Sequence, residues 1–274
     1  MSEITNIRRL QSEEIEALKT LIDFCNKNEL TYFLRGGSVL GAVKYSGMIP
    51  WDDDIDVILP RRDYNKMIKI IPSEWENFIF AHYSRRAEIN CYFARLYLKE
   101  DRRNELNLPK NNAFGLVLLD ILPIDGAPQN RISFICLKLR INFLRLLASV
   151  HTLDHKETVV KRKGIKKIIP ELLNKLHVHK LYRQIDIYHK LEGIYSCYSY
   201  DTASLVGVFS GSKADKEVFP KKWLGNGAAH KFEEMTVQIP EQYDSYLKLL
   251  FDEDYMLKEP AENARKPKHF EGEL

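Results

Sequence analysis

The sequence contains no run of about 20 uninterrupted apolar residues, the length a helix needs to cross the hydrocarbon of a bilayer, so no membrane-spanning segment is expected. Cysteine is scarce: Cys25, Cys91, Cys136 and Cys197 are the only four, and none forms a C-x-x-C pair. That spacing excludes a disulfide framework and argues against zinc on thiolates. Each cysteine falls within an apolar pattern, so all four read as buried free thiols. Internal repeats and low-complexity linkers are also absent, which removes solenoid and tethered-array architectures. The opening residues, Met1–Asn6, are polar and run straight into a charged helical pattern, without the basic-then-apolar order of a secretory leader, so a cytoplasmic location is expected. A large net charge is missing too, since 41 Lys and Arg face 38 Asp and Glu. What remains, 274 residues of which 45% are hydrophobic and 29% charged, is ordinary globular composition with enough chain for one large core.

The near-neutral sum conceals a division. Between Arg131 and Lys190 there are 14 Lys and Arg but 4 Asp and Glu, a surplus of ten that leaves the remainder net acidic by seven. Such asymmetry implies an anionic partner near this segment. Within it, Ile132, Ile135, Cys136, Leu139, Phe143, Leu146 and Leu147 recur at helical spacing, interleaved with Lys138, Arg140 and Arg145, giving an amphipathic basic helix from Ile132 to Val150. A charge cluster at Lys161–Lys167 and helical patterns over Ile168–Leu181 and Ile185–Ile194 follow. Two readings stay open: a solvated helical subdomain, and a basic face resting on an anionic membrane surface. A nucleic-acid partner is not expected, because the segment lacks the interleaved exposed aromatics of a single-strand platform.

The rest of the chain alternates strands and helices. A helix is predicted from Ser12, as N-cap, to Asn28, and then a strand at Tyr32–Leu34 stopped by Gly36-Gly37, with Ser38 opening a short helix. Ile55–Leu59 reads as a buried strand closed by Pro60, and Asp63, Tyr64, Met67, Ile68 and Ile71 mark the helix after it. Further strands are predicted at Phe78–Ala81, Cys91–Leu98, Gly115–Leu122, Val206–Phe209 and Val237–Ile239, a short helix at Tyr246–Leu250, and a frayed polar tail from Glu259. The fold class is therefore α+β, a mixed sheet flanked by helices with a helical appendage. The parts are a core over 1–130, a basic helical subdomain over 131–200, and a C-terminal part over 201–274 that completes the core.

Asp52, Asp53, Asp54 and Asp56 lie within five positions, before and inside an apolar strand. Strand alternation puts Asp54 and Asp56 on one face, with Asp52 sharing their parity. Carboxylates converging there repel, and a hard cation such as Mg²⁺ or Mn²⁺ offsets the repulsion. An EF-hand calcium loop is excluded, since its sixth position must be glycine and here is Val57. Asp120, alone in the apolar run Leu116–Leu122, is a third carboxylate whose burial metal ligation explains better than a lone hydrogen bond. Asp54, Asp56 and Asp120 are the candidate catalytic residues, and with Asp52 they form the candidate metal-binding set. Gly36-Gly37-Ser38, at a strand-to-helix junction, lets backbone N–H groups approach a phosphate.

The stretch from Leu34-Arg35-Gly36-Gly37-Ser38 to Lys44, continuing through Gly47-Met48-Ile49-Pro50-Trp51-Asp52-Asp53-Asp54-Ile55-Asp56-Val57 to Arg61 and Asp63-Tyr64, closely resembles the LicD family of phosphocholine transferases. Fukutin and the fukutin-related protein are similar in the same region. Phe219-Pro220, Phe232-Glu233, Ile239-Pro240, Tyr246-Leu247, Asp254-Tyr255, Pro260, Arg265 and His269 extend the likeness towards the C-terminus. The resemblance implies a nucleotidyltransferase fold of the polymerase-β type, with Gly37 and Ser38 at the turn, Asp54 and Asp56 as the paired acids, and Asp120 as the third. It implies metal-dependent transfer of a phospho-alcohol from a CDP-alcohol donor, CDP-choline foremost. The acceptor would be a hydroxyl of a lipid-linked cell-surface glycan, a teichoic acid, capsule or lipopolysaccharide precursor, at the inner face of the plasma membrane. Related members move glycerol phosphate or ribitol phosphate, so the cargo stays open. Contacts to the donor are expected from Gly36, Gly37, Ser38, Lys44, Arg61, Arg265 and His269, Arg61 foremost, with Arg95 in a flanking strand. The zinc-binding insertion of the fukutin-related branch has no counterpart in the cysteine spacing. Two rivals remain: a nucleotide-sugar glycosyltransferase using Asp54-Ile55-Asp56 as its D-x-D, and an inactive binding protein, against which the intact acids argue.

Overall fold

The computed structural model describes residues 3–86, 91–112, 114–151, 165–211, 216–262 and 265–267. Helix α1 (Glu3–Lys27) starts nine residues before the expected N-cap, and Ser12 lies exposed inside it. The reason is that its buried stripe of Ala17, Leu18, Leu21, Ile22 and Cys25 continues backwards through Leu10 and Ile7, so the helix gains by extending. There follow β1 (Phe33–Leu34), α2 (Gly36–Tyr45), β2 (Ile55–Pro60), α3 (Arg61–Ile70), β3 (Phe78–Ala81), β4 (Ala94–Leu98), α4 (Glu100–Glu105) and β5 (Leu116–Ala127). The basic segment forms α5 (Arg131–His151), α6 (Ile165–Lys175), a 3-10 turn (Val178–Leu181) and α7 (Gln184–Tyr195). Lys161–Lys163 of the charge cluster lie outside the described residues. The chain closes with β6 (Leu205–Gly207), β7 (Val218–Pro220), β8 (Ala228–Phe232), β9 (Met235–Ile239) and α8 (Tyr243–Phe251).

Seven strands build one mixed sheet in the order β1-β2-β5-β4-β3, with β6 on the far end of β5 and β7 on β6. The β2–β5 pair is parallel and sets Asp56 directly beside Asp120, whereas the other strand pairs are antiparallel. The twelve-residue β5 runs through the middle; its first part serves β2 and β4 and its last three residues serve β6. Strands β7 and β8 and helix α4 were not legible in the sequence. β7 is three residues long, and β8, Ala-Ala-His-Lys-Phe, alternates in burial but not in residue type.

The main core joins α1 to the sheet and to the β8–β9 hairpin through Phe232, Val237 and Ile239. A second core lies between α5 and α7, where Leu137, Ile141, Leu144, Ile187, Tyr188 and Leu191 pack with Tyr83 and Phe209. Cys25 and Cys91 are buried, but Cys136 and Cys197 are exposed free thiols, a departure from the expected burial of all four. Cys136 sits outside the arc of α5 that carries the buried Leu137 and Ile141, which explains its exposure.

Arg61 is a second departure. Its Nε and Nη2 donate to the two oxygens of Asp125 at 2.6 and 2.7 Å, and its Nη1 donates to Glu192 of α7 at 2.8 Å. Glu192 also accepts from the Tyr83 hydroxyl. Arg61 follows the last residue of β2, and five residues of extended chain, about 16 Å, separate it from Asp56. Three of its five N–H donors are engaged in this way and the acids lie at the other end of the strand, so Arg61 serves as a structural link between sheet and helical layer. Arg61→Ala leaves the Asp125 carboxylate buried and unpaired, so it should lower the unfolding free energy by about 3–5 kcal/mol, as read from urea denaturation. Arg61→Lys should recover only part of this, because an ammonium cannot reproduce the two-pronged contact.

Candidate active site

The site begins where β1 ends. Gly36 has φ +55°, a left-handed conformation that glycine adopts without strain, and turns the chain from Arg35 into α2. A Cβ built on Gly37 would lie 3.0 Å from Asp52 Oδ2, and one built on Gly36 would lie 3.9 Å from Asp56 Oδ2. The glycine turn and the carboxylates of Asp52 and Asp56 therefore face one another. Ser38 Oγ accepts a hydrogen bond from the Asp56 N–H at 3.0 Å, pinning the start of β2 beneath the first turn of α2. The Gly36 N–H donates to the Tyr246 hydroxyl of α8 at 3.0 Å.

The acids fall into two neighbouring sets. Asp54 precedes β2, so strand alternation does not govern its direction, and it gathers with Asp52 and Asp53, their carboxylate oxygens within 4.8 Å of one another. Asp56 and Asp120 form the second set, side by side across β2 and β5. Arg35 Nη1 meets Asp56 at 2.8 Å while its Nη2 meets Glu217 at 2.5 Å, and Arg95 Nε meets Asp120 at 2.7 Å. The fully buried Glu217 also accepts from the Tyr246 hydroxyl at 2.7 Å. Burial pushes the Asp56 carboxyl up to about 6; Arg35 opposes this, and Asp120, Glu217 and Asp52 add to it. An all-oxygen donor set crowded in this way suits a hard divalent cation such as Mg²⁺ or Mn²⁺.

Neighbouring elements hold the acid loop in place. Gln11 of α1 donates to the carbonyls of Ile49 and Asp52 at 3.1 and 2.9 Å. From the β8–β9 turn, Glu233 accepts from the Met48 N–H at 3.0 Å and donates its own N–H to Ser46 O at 2.7 Å. Glu14, one turn along α1 from Gln11, is fully buried, and neither of its carboxylate oxygens has a hydrogen-bond partner among the described residues. Burial, then Asp54, Asp53 and Asp52, raise its pKa well above the usual carboxylate range. Glu217 and Glu14 were not singled out at the site from the sequence, and Arg35 and Tyr246 entered only within the family-like stretches, without a role assigned to either.

Within the described part of the tail, Glu259 and Arg265 are tied back to α2 and the acid loop. Lys44 Nζ and Arg265 Nη2 both meet Glu259, at 2.7 and 3.7 Å, and the Tyr45 hydroxyl donates to the same carboxylate at 3.0 Å. The Arg265 guanidinium lies 5.2 Å from the ring centre of Trp51, the residue before Asp52. Lys44 and Arg265 thus share one cluster at the edge of the acid loop, while His269 lies outside the described residues.

Residues 29–112 match the family described as LicD/FKTN/FKRP, nucleotidyltransferase domain, a span that contains the glycine turn, the acid loop and Arg95. Over an alignment of 274 residues covering 96% of both chains, the sequence is 26% identical to the lipopolysaccharide cholinephosphotransferase LicD of Haemophilus influenzae. Residues 29–112 thus carry a LicD-type nucleotidyltransferase domain. Uncharacterized proteins of Rickettsia prowazekii and Rickettsia typhi are each 33% identical over 57 residues, 21% of this chain and 21% and 18% of theirs. Asp120, Glu217 and Tyr246 fall beyond the matched domain and reach its site only through β5 and the C-terminal elements.

Glu14 gives a stability test. Its folded pKa is raised, so stability is intact below the unfolded value near ~4.3 and is lost as pH rises from there towards the folded value. Glu14→Gln removes that loss. In EDTA the variant should melt higher than wild type at neutral pH and lose the advantage below about pH 4. An advantage unchanged across that range would show that Glu14 is not held neutral by its surroundings.

Proposed function

We propose that this protein transfers a phospho-alcohol, phosphocholine foremost, from a CDP-activated donor to a hydroxyl of a lipopolysaccharide-type glycan precursor. The observation that carries the reading is the facing of the Asp52 and Asp56 carboxylates onto the Gly36-Gly37 turn, with Asp120 beside Asp56. The likeness to the Haemophilus cholinephosphotransferase over nearly the whole chain supports it. Asp52, Asp54, Asp56 and Asp120 would hold Mg²⁺ or Mn²⁺, whose charge neutralises the transferring and leaving oxygens.

The chain's own residues do the positioning. The turn at Gly36-Gly37-Ser38, bare of Cβ where it faces the acids, lets the donor diphosphate approach the backbone and the N-terminus of α2. Arg35 and Arg95 hold Asp56 and Asp120 in orientation by the ion pairs described above. Lys44 and Arg265, next to Trp51, provide positive charge at the rim for the nucleotide phosphates. An aspartate oxygen left free of the cation takes the proton of the attacking glycan hydroxyl, and CMP leaves. The reaction is placed at the inner face of the plasma membrane, where a lipid-linked acceptor is presented.

Release of CMP from CDP-choline, CDP-glycerol and CDP-ribitol in the presence of a glycan acceptor tests the reading. CDP-choline should be the best donor, EDTA should stop turnover, and Mg²⁺ should restore it. Asp56→Asn and Asp120→Asn should each cost about 100-fold or more in rate with an unchanged circular dichroism spectrum. Full turnover after exhaustive chelation rejects the metal role. UDP release from a nucleotide sugar in place of CMP release moves the protein to the glycosyltransferases.

A further inference from the structure

Helix α5 is apolar on two sides. One side, with Leu137, Ile141, Leu144 and Ala148, is packed into the second core. The other carries Ile132, Ile135, Leu139 and Phe143 at steps of three or four residues, and these are 72%, 46%, 63% and 59% exposed. The stripe that spacing marks in the sequence is thus, at these four positions, turned away from the protein. Arg131, Lys138 and Arg140 are exposed alongside it, and the 21 residues of α5 include no Asp or Glu. Between α5 and α7 runs a shallow groove of about 420 Å³. Phe143, Leu144 and Ile194 give it an apolar lining, and Arg140 and Lys190 add two cations. No helix among the described residues is long and apolar enough to cross a membrane.

We propose that the outer face of α5, with the α5–α7 groove, docks this protein on the surface of an anionic lipid bilayer. The helix lies in the membrane plane, Ile132, Ile135, Leu139 and Phe143 enter the boundary between headgroups and acyl chains, and Arg131, Lys138, Arg140 and Lys190 meet lipid phosphates. Charge decides between possible occupants. A second copy of the chain would set these cations against themselves, with no acid on α5 to pair them, whereas an anionic bilayer satisfies the apolar stripe and the cations together. The Arg61 pairs with Asp125 and Glu192 tie α7 to the central sheet, so docking would also orient the acid site relative to the membrane. The inference stands apart from the choice of donor and acceptor.

Sedimentation of the full chain with vesicles of phosphatidylcholine, with and without phosphatidylglycerol, at low and high salt is the test. Wild type should pellet with the anionic vesicles at low salt and dissociate at high salt. The double variant Lys138→Glu, Arg140→Glu should lower the partition coefficient on the order of 25-fold, since each cation at an anionic surface contributes about fivefold. Leu139→Ser with Phe143→Ser should weaken binding at low salt as well. All these positions are exposed, and circular dichroism checks that the variants fold. Absence of pelleting with anionic vesicles at low salt, wild-type binding by both double variants, or salt-independent binding to neutral vesicles overturns the proposal. So does self-association that Leu139→Ser disperses in a protein that ignores vesicles, which assigns the face to a second copy.

Discussion

Carboxylates placed side by side on adjacent parallel strands repel each other, and much of the structure around β2 and β5 answers that repulsion. The register that sets Asp56 beside Asp120 leaves both half-buried in the middle of the sheet. Each is met by an arginine, Arg35 for Asp56 and Arg95 for Asp120, while Asp52, Asp53 and Asp54 crowd the entrance to the same strand. Such crowding costs folding free energy unless charge of the opposite sign is brought in. Two arginines balance part of it, and the buried Glu14 answers another part by favouring its protonated form. In the proposed function a divalent cation would supply the counter-charge for the remainder.

Holding so many like charges in one loop requires support from distant parts of the chain. Gln11 of α1 and Glu233 of the β8–β9 turn grip the backbone between Ser46 and Asp52. Glu217 and Tyr246 reach the glycine turn and Arg35 from beyond the helical layer. The C-terminal segment is therefore part of the site rather than an addition to it. That arrangement fits a likeness to the Haemophilus relative that runs along nearly the whole chain and is not limited to the span of the matched domain.

The helical layer is joined to this frame by a buried ion-pair network as well as by packing. Arg61 at the end of β2, Asp125 at the end of β5, and Glu192 on α7 meet at one point. The layer is thus fixed to the two strands that carry the acids. A surface on α5 would move with the sheet instead of swinging on a linker, a mechanical condition for coupling a docking face to a site elsewhere in the molecule.

Local pattern determined a good deal. The α+β class, most strands, the basic helix and the acid-rich approach to β2 were legible because each is written in a few consecutive residues: period-two or helical spacing, and charge where burial is costly. Tertiary structure alone decided what those residues meet. Arg61 looks from the sequence like an anion contact, and the folded chain pairs it with Asp125 and Glu192, which lie 64 and 131 positions away. Ser12 has the chemistry of an N-cap, but the stripe through Ile7 and Leu10 carried the helix past it. Spacing marks the stripe on α5 without saying which of two apolar sides the protein covers, because periodicity is a property of one helix and burial is a property of its neighbours. Glu217 and Glu14 gave no local signal of a place at the site, and Tyr246 stood only within a family-like pair, since the charges and hydroxyls they meet come together only once the chain has folded.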